Sequence, residues 1–159
     1  PLTEHAMSFW DSLRIGASAL TAQRLRLDVI ANNIANAETT RTAEGGPYKR
    51  QDVVFATQGR DDSFLPALVL ARRNPDAKDV LPIQGVDVRQ IIADDQPGPR
   101  VYDPTHPDAD ADGYVTYPNV NIVTEMTNML SATRSYEAGL AVVEAAKRMA
   151  LRALEIGRS

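Results

Sequence analysis

Leu13, Leu20, Leu27 and Ile34 fall seven residues apart near one end of the chain, and Ile122, Met129, Tyr136, Val143 and Ala150 do so near the other. Met126, Leu140 and Leu154 form an adjoining row beside the second set. An apolar residue at every seventh position draws a narrow stripe along a helix, the pattern by which helices pack on one another. A stripe that slight cannot enclose a globular core, so each segment needs a partner. The candidates are the opposite end of the same chain, another copy of the molecule, or a relative of it. Assembly is therefore a stronger expectation than catalysis.

Composition points the same way. The 159 residues allow one domain, but only 6% are aromatic, and the apolar fraction of 43% is rich in alanine, which adds little burial per residue. An isolated monomer is expected to be marginal. The net charge of −4 comes with no basic cluster, which argues against nucleic-acid binding through phosphate neutralisation. Cysteine is absent, which excludes disulfides, thiol nucleophiles and cysteine-ligated zinc. No apolar run approaches the ~20 residues that span a bilayer, so membrane insertion is not expected. Pro1 to Trp10 has neither the basic start nor the apolar centre of a cleaved secretory signal, and any export is expected to take another route.

The first helix is expected over about Phe9 to Ala37, roughly 43 Å at the usual rise per residue. Ser8 suits its N-cap and Asp11 its first turn, with Gln23, Arg14, Arg24 and Arg26 on its other faces. Asn32, Asn33 and Asn36 sit where such a helix should end. After Gly45-Gly46-Pro47, strands are expected at Tyr48–Phe55, Val86–Ile92, Arg100–Tyr102 and Gly113–Tyr117, between Pro and Asp clusters. Thr57 to Gln84 is irregular, with Pro66, Pro75 and Pro82 limiting any element around Phe64 to Leu70. The second helix should begin near Val120 to Ile122 and reach about Ile156, with Gly157 as its stop. Its outer face is expected to carry Glu125, Arg134, Glu137, Glu144 and Lys147. The domain reading is an N-terminal extension at 1–8, a discontinuous helical core at 9–44 and 118–159, and a small β-rich domain at 45–117 containing an insertion at 57–84.

Little in the chain suggests reaction chemistry. Asp108, Asp110, Asp112 and Gly113 match the first half of a calcium loop, but the twelfth position is Asn119 and prolines flank the run. An acidic turn feeding the strand after Gly113 is the better reading. His5 and His106 lack companion ligands at metal spacing, and no nucleophile elbow, phosphate loop or dinucleotide fingerprint occurs. No catalytic residue, metal or cofactor is assigned, and the chain is expected not to be an enzyme.

Two stretches carry a resemblance. Leu27 to Thr40, LDVIANNIANAETT, resembles the N-terminal signature of the axial proteins of the bacterial flagellum, the rod and hook family. Gly113 to Met129, GYVTYPNVNIVTEMTNM, with Ser131 to Glu137 and the ending Leu154 to Gly157, looks like the proximal-rod members of that family. Tyr48 to Phe55 resembles their first central strand. The resemblance implies an α+β fold, mainly α, whose long terminal helices pair as an antiparallel coiled-coil hairpin with a small β-rich domain between them. It implies a structural subunit that polymerises into the drive shaft around an export channel, within the periplasm. It implies as partners copies of itself, other rod proteins including the basal adaptor and the distal rod, and the flagellar type III export apparatus, which uses no cleaved signal. The subunit-interface residues expected on this reading are Leu13, Leu20, Leu27, Asn33, Ile34, Asn36, Met126, Met129, Tyr136, Leu140 and Val143. The alternatives are another axial subunit, a soluble coiled-coil adaptor, or a calcium-responsive module using Asp108 to Asp112.

Overall fold

The computed structural model of the chain describes residues 2–57 and 85–157, with side chains from Trp10 onward except Asp11. Along the sequence run helix α1 (Leu2–Ala35), strands β1 (Gln51–Thr57), β2 (Val86–Ala93), β3 (Arg100–Tyr102) and β4 (Tyr114–Thr116), and helix α2 (Ile122–Ile156). The fold is mainly α, with two small two-stranded sheets, β1 beside β2 and β3 beside β4.

The helix α1 begins earlier than its pattern suggested. It passes through Ser8 without a break, so Ser8 is not the N-cap and residues 2–8 are part of the helix. Leu, Ala, Met and Glu upstream of Ser8 are good helix formers and extend it. Farther along, the Ser18 and Thr21 hydroxyls donate back to the carbonyls of Ile15 and Ala17 at 2.8 and 3.0 Å, which lets polar side chains sit inside a helix without competing with its ladder. Its end is closed by asparagine. Asn36 donates both its backbone N–H, at 3.1 Å, and its side-chain amide, at 2.9 Å, to the carbonyl of Asn32, satisfying an acceptor the helix would otherwise orphan. The α2 start is capped by Asn121, whose side-chain oxygen accepts the Thr124 N–H at 3.1 Å.

Strand β1 lies three residues beyond the expected start at Tyr48, because Tyr48 and Arg50 are used elsewhere. One residue past β2, the Asp94 N–H donates to the carbonyl of Arg50, one residue before β1, at 2.7 Å. Strands β3 and β4 pair antiparallel, with Arg100 opposite Thr116, Val101 opposite Val115 and Tyr102 opposite Tyr114. The turn between them needs Gly113, whose φ of +81° is a left-handed conformation that side chains rarely adopt. The segment expected to form an insertion, 57–84, lies outside the described residues beyond Thr57.

The chain divides into two compact units. The first comprises 1–22, 55–87 and 138–159, and the second 23–54 and 88–137. In the first, α1 and α2 touch at two complementary points. A Cβ at Gly16 would stand 2.7 Å from Val143 Cγ2, and one at Gly139 would stand 3.2 Å from Leu20 Cδ2. Ala22 and Ala146 are buried there, and the Ser18 hydroxyl accepts the Val86 N–H at 3.1 Å. In the second unit Val29, Ile30, Ala37, Val53, Val115 and Ala132 are buried. Among the described residues, half of the buried apolar set is therefore alanine, and apolar burial per residue is small.

Candidate functional site

At the centre of the second unit is a polar node. Asn33, in the last turn of α1, has no exposed surface, and Glu125, in the first turn of α2, is 1% exposed. The Asn33 side-chain amide donates to the Gln51 carbonyl at 2.8 Å and to Glu125 Oε2 at 3.1 Å. Its carbonyl oxygen accepts the Gln51 N–H at 2.9 Å and the Tyr48 hydroxyl at 2.9 Å. Asn33 thus binds both backbone groups of Gln51, as a neighbouring strand would. That pairing also fixes which end of the carboxamide is oxygen. All four of its hydrogen-bonding positions are filled.

Glu125 is matched by Arg50. The guanidinium donates from Nε and from Nη2 to Glu125 Oε1, both at 3.0 Å, and Asn128 reaches the same oxygen at 3.4 Å. Burial works against the Arg50 charge, but the hydrogen bond and the charge of Glu125 more than offset it, and the Arg50 pKa is raised. Burial first, and then the Glu125 charge, push the Tyr48 phenol above its ordinary value. Removing one member would leave buried polar groups unpaired. A polar cleft of about 100 Å³ opens beside the node, walled by Arg26, Arg50, Asp52, Glu125 and Asn128.

Three expectations change here. Glu125 was placed on the outer face of its helix; it is buried, because Arg50 and Asn33 supply the charge and donors that make burial tolerable. Asn33 was placed at a subunit contact; with no exposed surface and every donor and acceptor used inside the chain, it organises its own molecule. Gln23, read as surface decoration, holds a side-chain oxygen that is buried without a hydrogen-bond partner.

Leu13, Leu20, Leu27 and Ile34 on α1, and Met129, Tyr136 and Val143 on α2, are all half-buried, whereas Ile122, at the start of the same α2 row, is 43% exposed. The adjoining row, Met126, Leu140 and Leu154, is between 42% and 67% exposed, and Leu130 and Leu151 beside it are 54% and 52% exposed. Their spacing of three and four residues, or multiples of seven, keeps them on one side of α2. Asn36, half-buried, donates to the Asn32 side-chain oxygen at 2.9 Å and accepts the Thr39 hydroxyl at 3.2 Å.

The acidic run behaves as a turn. Asp108 accepts the Thr40 hydroxyl at 2.8 Å and pairs with Arg41 at 3.5 Å. Asp110 instead accepts the backbone N–H groups of Tyr114 and Asp112, at 2.8 and 3.0 Å, and pairs with Arg100. The backbone bond from Tyr114 leads the causes that hold the Asp110 carboxyl below the usual range. His106 accepts the Asp108 N–H on Nδ1 at 3.1 Å, a role within the loop; the His5 side chain lies outside those described. Arg100 also stacks over the Tyr114 ring, 5.0 Å from its centroid, and Tyr102 meets that ring edge-on.

Comparison with known proteins bears on both helical ends. Residues 13–41 match the family described as flagella basal body rod protein, and residues 111–156 match the C-terminal family of the flagellar basal body rod proteins FlgEFG. The chain is 44% identical over 154 residues to the flagellar basal-body rod protein FlgC of Borreliella burgdorferi, covering 94% of this chain and 98% of that one. Identity to FlgC of Bacillus subtilis is 43% over 157 residues, covering 96% and 100%. Identity to FlgC of Salmonella typhimurium is 38% over 152 residues, with the same coverage of 96% and 100%. The matched ends contain Asn33 and Glu125, the two halves of the buried node, together with both seven-residue rows. This chain belongs to the flagellar basal-body rod protein FlgC family.

Proposed function

We propose that the chain polymerises through its terminal helices into the proximal rod, the drive shaft that transmits torque and surrounds the export channel. As a member of its family it is a structural subunit of the flagellar basal body, not an enzyme, and it assembles with copies of itself and with other rod components. The exposed row on α2 carries the proposal. Met126, Leu130, Leu140, Leu151 and Leu154 are exposed along one side of a long helix on which Met129, Tyr136 and Val143 are half-buried. An apolar surface of this kind calls for another helix.

On this reading the inner rows, Leu13, Leu20, Leu27 and Ile34 against Met129, Tyr136 and Val143, form an antiparallel coiled-coil hairpin. Support comes from the contact order: Gly16 meets Val143 and Leu20 meets Gly139 in one unit, and Asn33 meets Glu125 in the other. In the first unit α1 advances from 16 to 20 as α2 retreats from 143 to 139. The helical core then spans 9–44 and 118–159, extended at its start by 1–8. The β-rich domain spans 45–117, with 57–84 as its insertion. The outer row, with Asn36 near its end of the hairpin, supplies the subunit contacts. A heterologous contact that does not close generates a helical filament, and burial then accumulates over several neighbours. The remaining partners are the basal adaptor, the distal rod and the type III export apparatus. Delivery is into the periplasm without a cleaved signal.

The test is electron microscopy of basal bodies from a deletion strain, with swimming scored before and after the gene is returned. Loss of the rod above the membrane ring, restored with the gene, is the expected result. Intact rods and swimming cells without the gene would move the chain to the adaptor reading.

A further inference from the structure

Cysteine is absent and methionine is scarce, four in the whole chain, so the oxidisable sulfur is confined to a few places. Two of these methionines lie three residues apart on α2 and differ in exposure. Met129 is half-buried in the inner row. Met126 belongs to the outer row and is 60% exposed. Met149 is equally open but lies on another side of the helix, away from the outer row. A thioether in an apolar contact is soft and adaptable, and its sulfoxide is polar and chiral, which disrupts such contacts.

We propose that Met126 is a reversible oxidation site that controls docking of the outer row. The inference rests on the docking role given above to that row. The chemistry is a two-electron oxygen transfer from a hydroperoxide. The Met126 sulfur donates its electron pair to the distal peroxide oxygen, the S–O bond forms as the O–O bond breaks, and hydrogen peroxide leaves as water. The thioether is oxidised to sulfoxide and the peroxide is reduced. Methionine sulfoxide reductases reverse the step. Before assembly the sulfur is open to solvent, and after docking the partner helix would cover it. The switch therefore acts on the free subunit and spares the finished structure.

The test uses the purified full chain carrying Met149→Leu, which removes the other exposed methionine among the described side chains. Graded hydrogen peroxide is added, and each methionine is followed by peptide mass spectrometry for the gain of one oxygen. Self-association is followed in the same samples by sedimentation velocity, before and after sulfoxide reductase. The expected result is that Met126 oxidises several times faster than Met129. Association should weaken about tenfold in step with Met126 oxidation, and return with the reductase. Equal rates at Met126 and Met129 would overturn the assignment. Full oxidation of Met126 with unchanged association would overturn the control while leaving the docking row standing. A reduced chain that stays monomeric at every concentration would remove self-docking itself, and the switch with it.

Discussion

Asn33 and Glu125, separated by 92 positions in the chain, meet in a buried hydrogen bond of 3.1 Å. It joins the end of one long helix to the start of the other. Because Asn33 also holds both backbone groups of Gln51, and Arg50 neutralises Glu125, one small cluster fixes α1, α2 and the start of β1 together.

Replacing Asn33 tests that cluster. Asn33→Leu keeps comparable bulk but strands the Gln51 N–H and carbonyl and the Tyr48 hydroxyl, and leaves one Glu125 oxygen without its donor. A loss of about 2–5 kcal/mol is expected, read as a lowered urea midpoint. A midpoint within error of the parent would show that the node contributes nothing to folding.

The two helical glycines should respond with opposite signs. At Gly139 an added methyl meets the flexible tip of Leu20 at 3.2 Å. Gly139→Ala is therefore expected to be neutral or to gain up to ~1 kcal/mol from helix propensity. At Gly16 the methyl would lie 2.7 Å from Val143 Cγ2, and a β-branched side chain in a helix has little freedom to turn away. Gly16→Ala should cost about 1–3 kcal/mol, and Val143→Ala in the same chain should recover part of it. Thermal melts of the three variants decide the matter; equal effects at both glycines would remove the close-contact explanation.

Tyr48 gives a pH dependence at the alkaline end. Its pKa is raised in the folded chain, so the folded state holds the phenolic proton more tightly than the unfolded state does. That contribution is fully present below the ordinary value of 10.0 and is lost as pH rises through the raised value. Ultraviolet titration should show a phenol ionising above the ordinary value, and Tyr48→Phe should abolish that late phase. A late phase that survives the substitution belongs to another tyrosine.

The outer row separates folding from assembly. Leu130 is 54% exposed, so Leu130→Asp should change stability by no more than about 0.5 kcal/mol. Assembly should fail nonetheless, because a carboxylate would have to be buried against a neighbouring helix. Normal denaturation with absent rods is the expected pair of observations. Complete rods built from the variant would remove the outer row from the interface.

The helices were legible in the sequence because a seven-residue apolar period has one physical meaning over such lengths. The strands were legible in outline, with β3 found at its true limits. What the pattern could not do was tell which of the two α2 rows is the more exposed. Met126 and Met129 are chemically the same residue, and only packing makes one outer and the other inner. The node was hidden for a different reason. Glu125 reads as an ordinary surface acid until Arg50 and Asn33 are brought to it from distant stretches of chain. Asn33 itself stood out as an odd residue within an apolar pattern, and its proximity to the helix end suggested a cap or a contact between subunits. The start of α1 was misread because Ser8 looks like a cap, although the residues before it are good helix formers.

The glycines at 16 and 139 have one more consequence. Each helix offers one bare stretch of backbone, and each offers one large side chain to fill the other's. Sliding either helix by a turn would press a side chain into a place already occupied and leave a hollow where it had been. The two mistakes would come together, so a misaligned pair gains nothing in one place to set against the other. That contact carries its own proofreading, written as two absences of a single carbon atom.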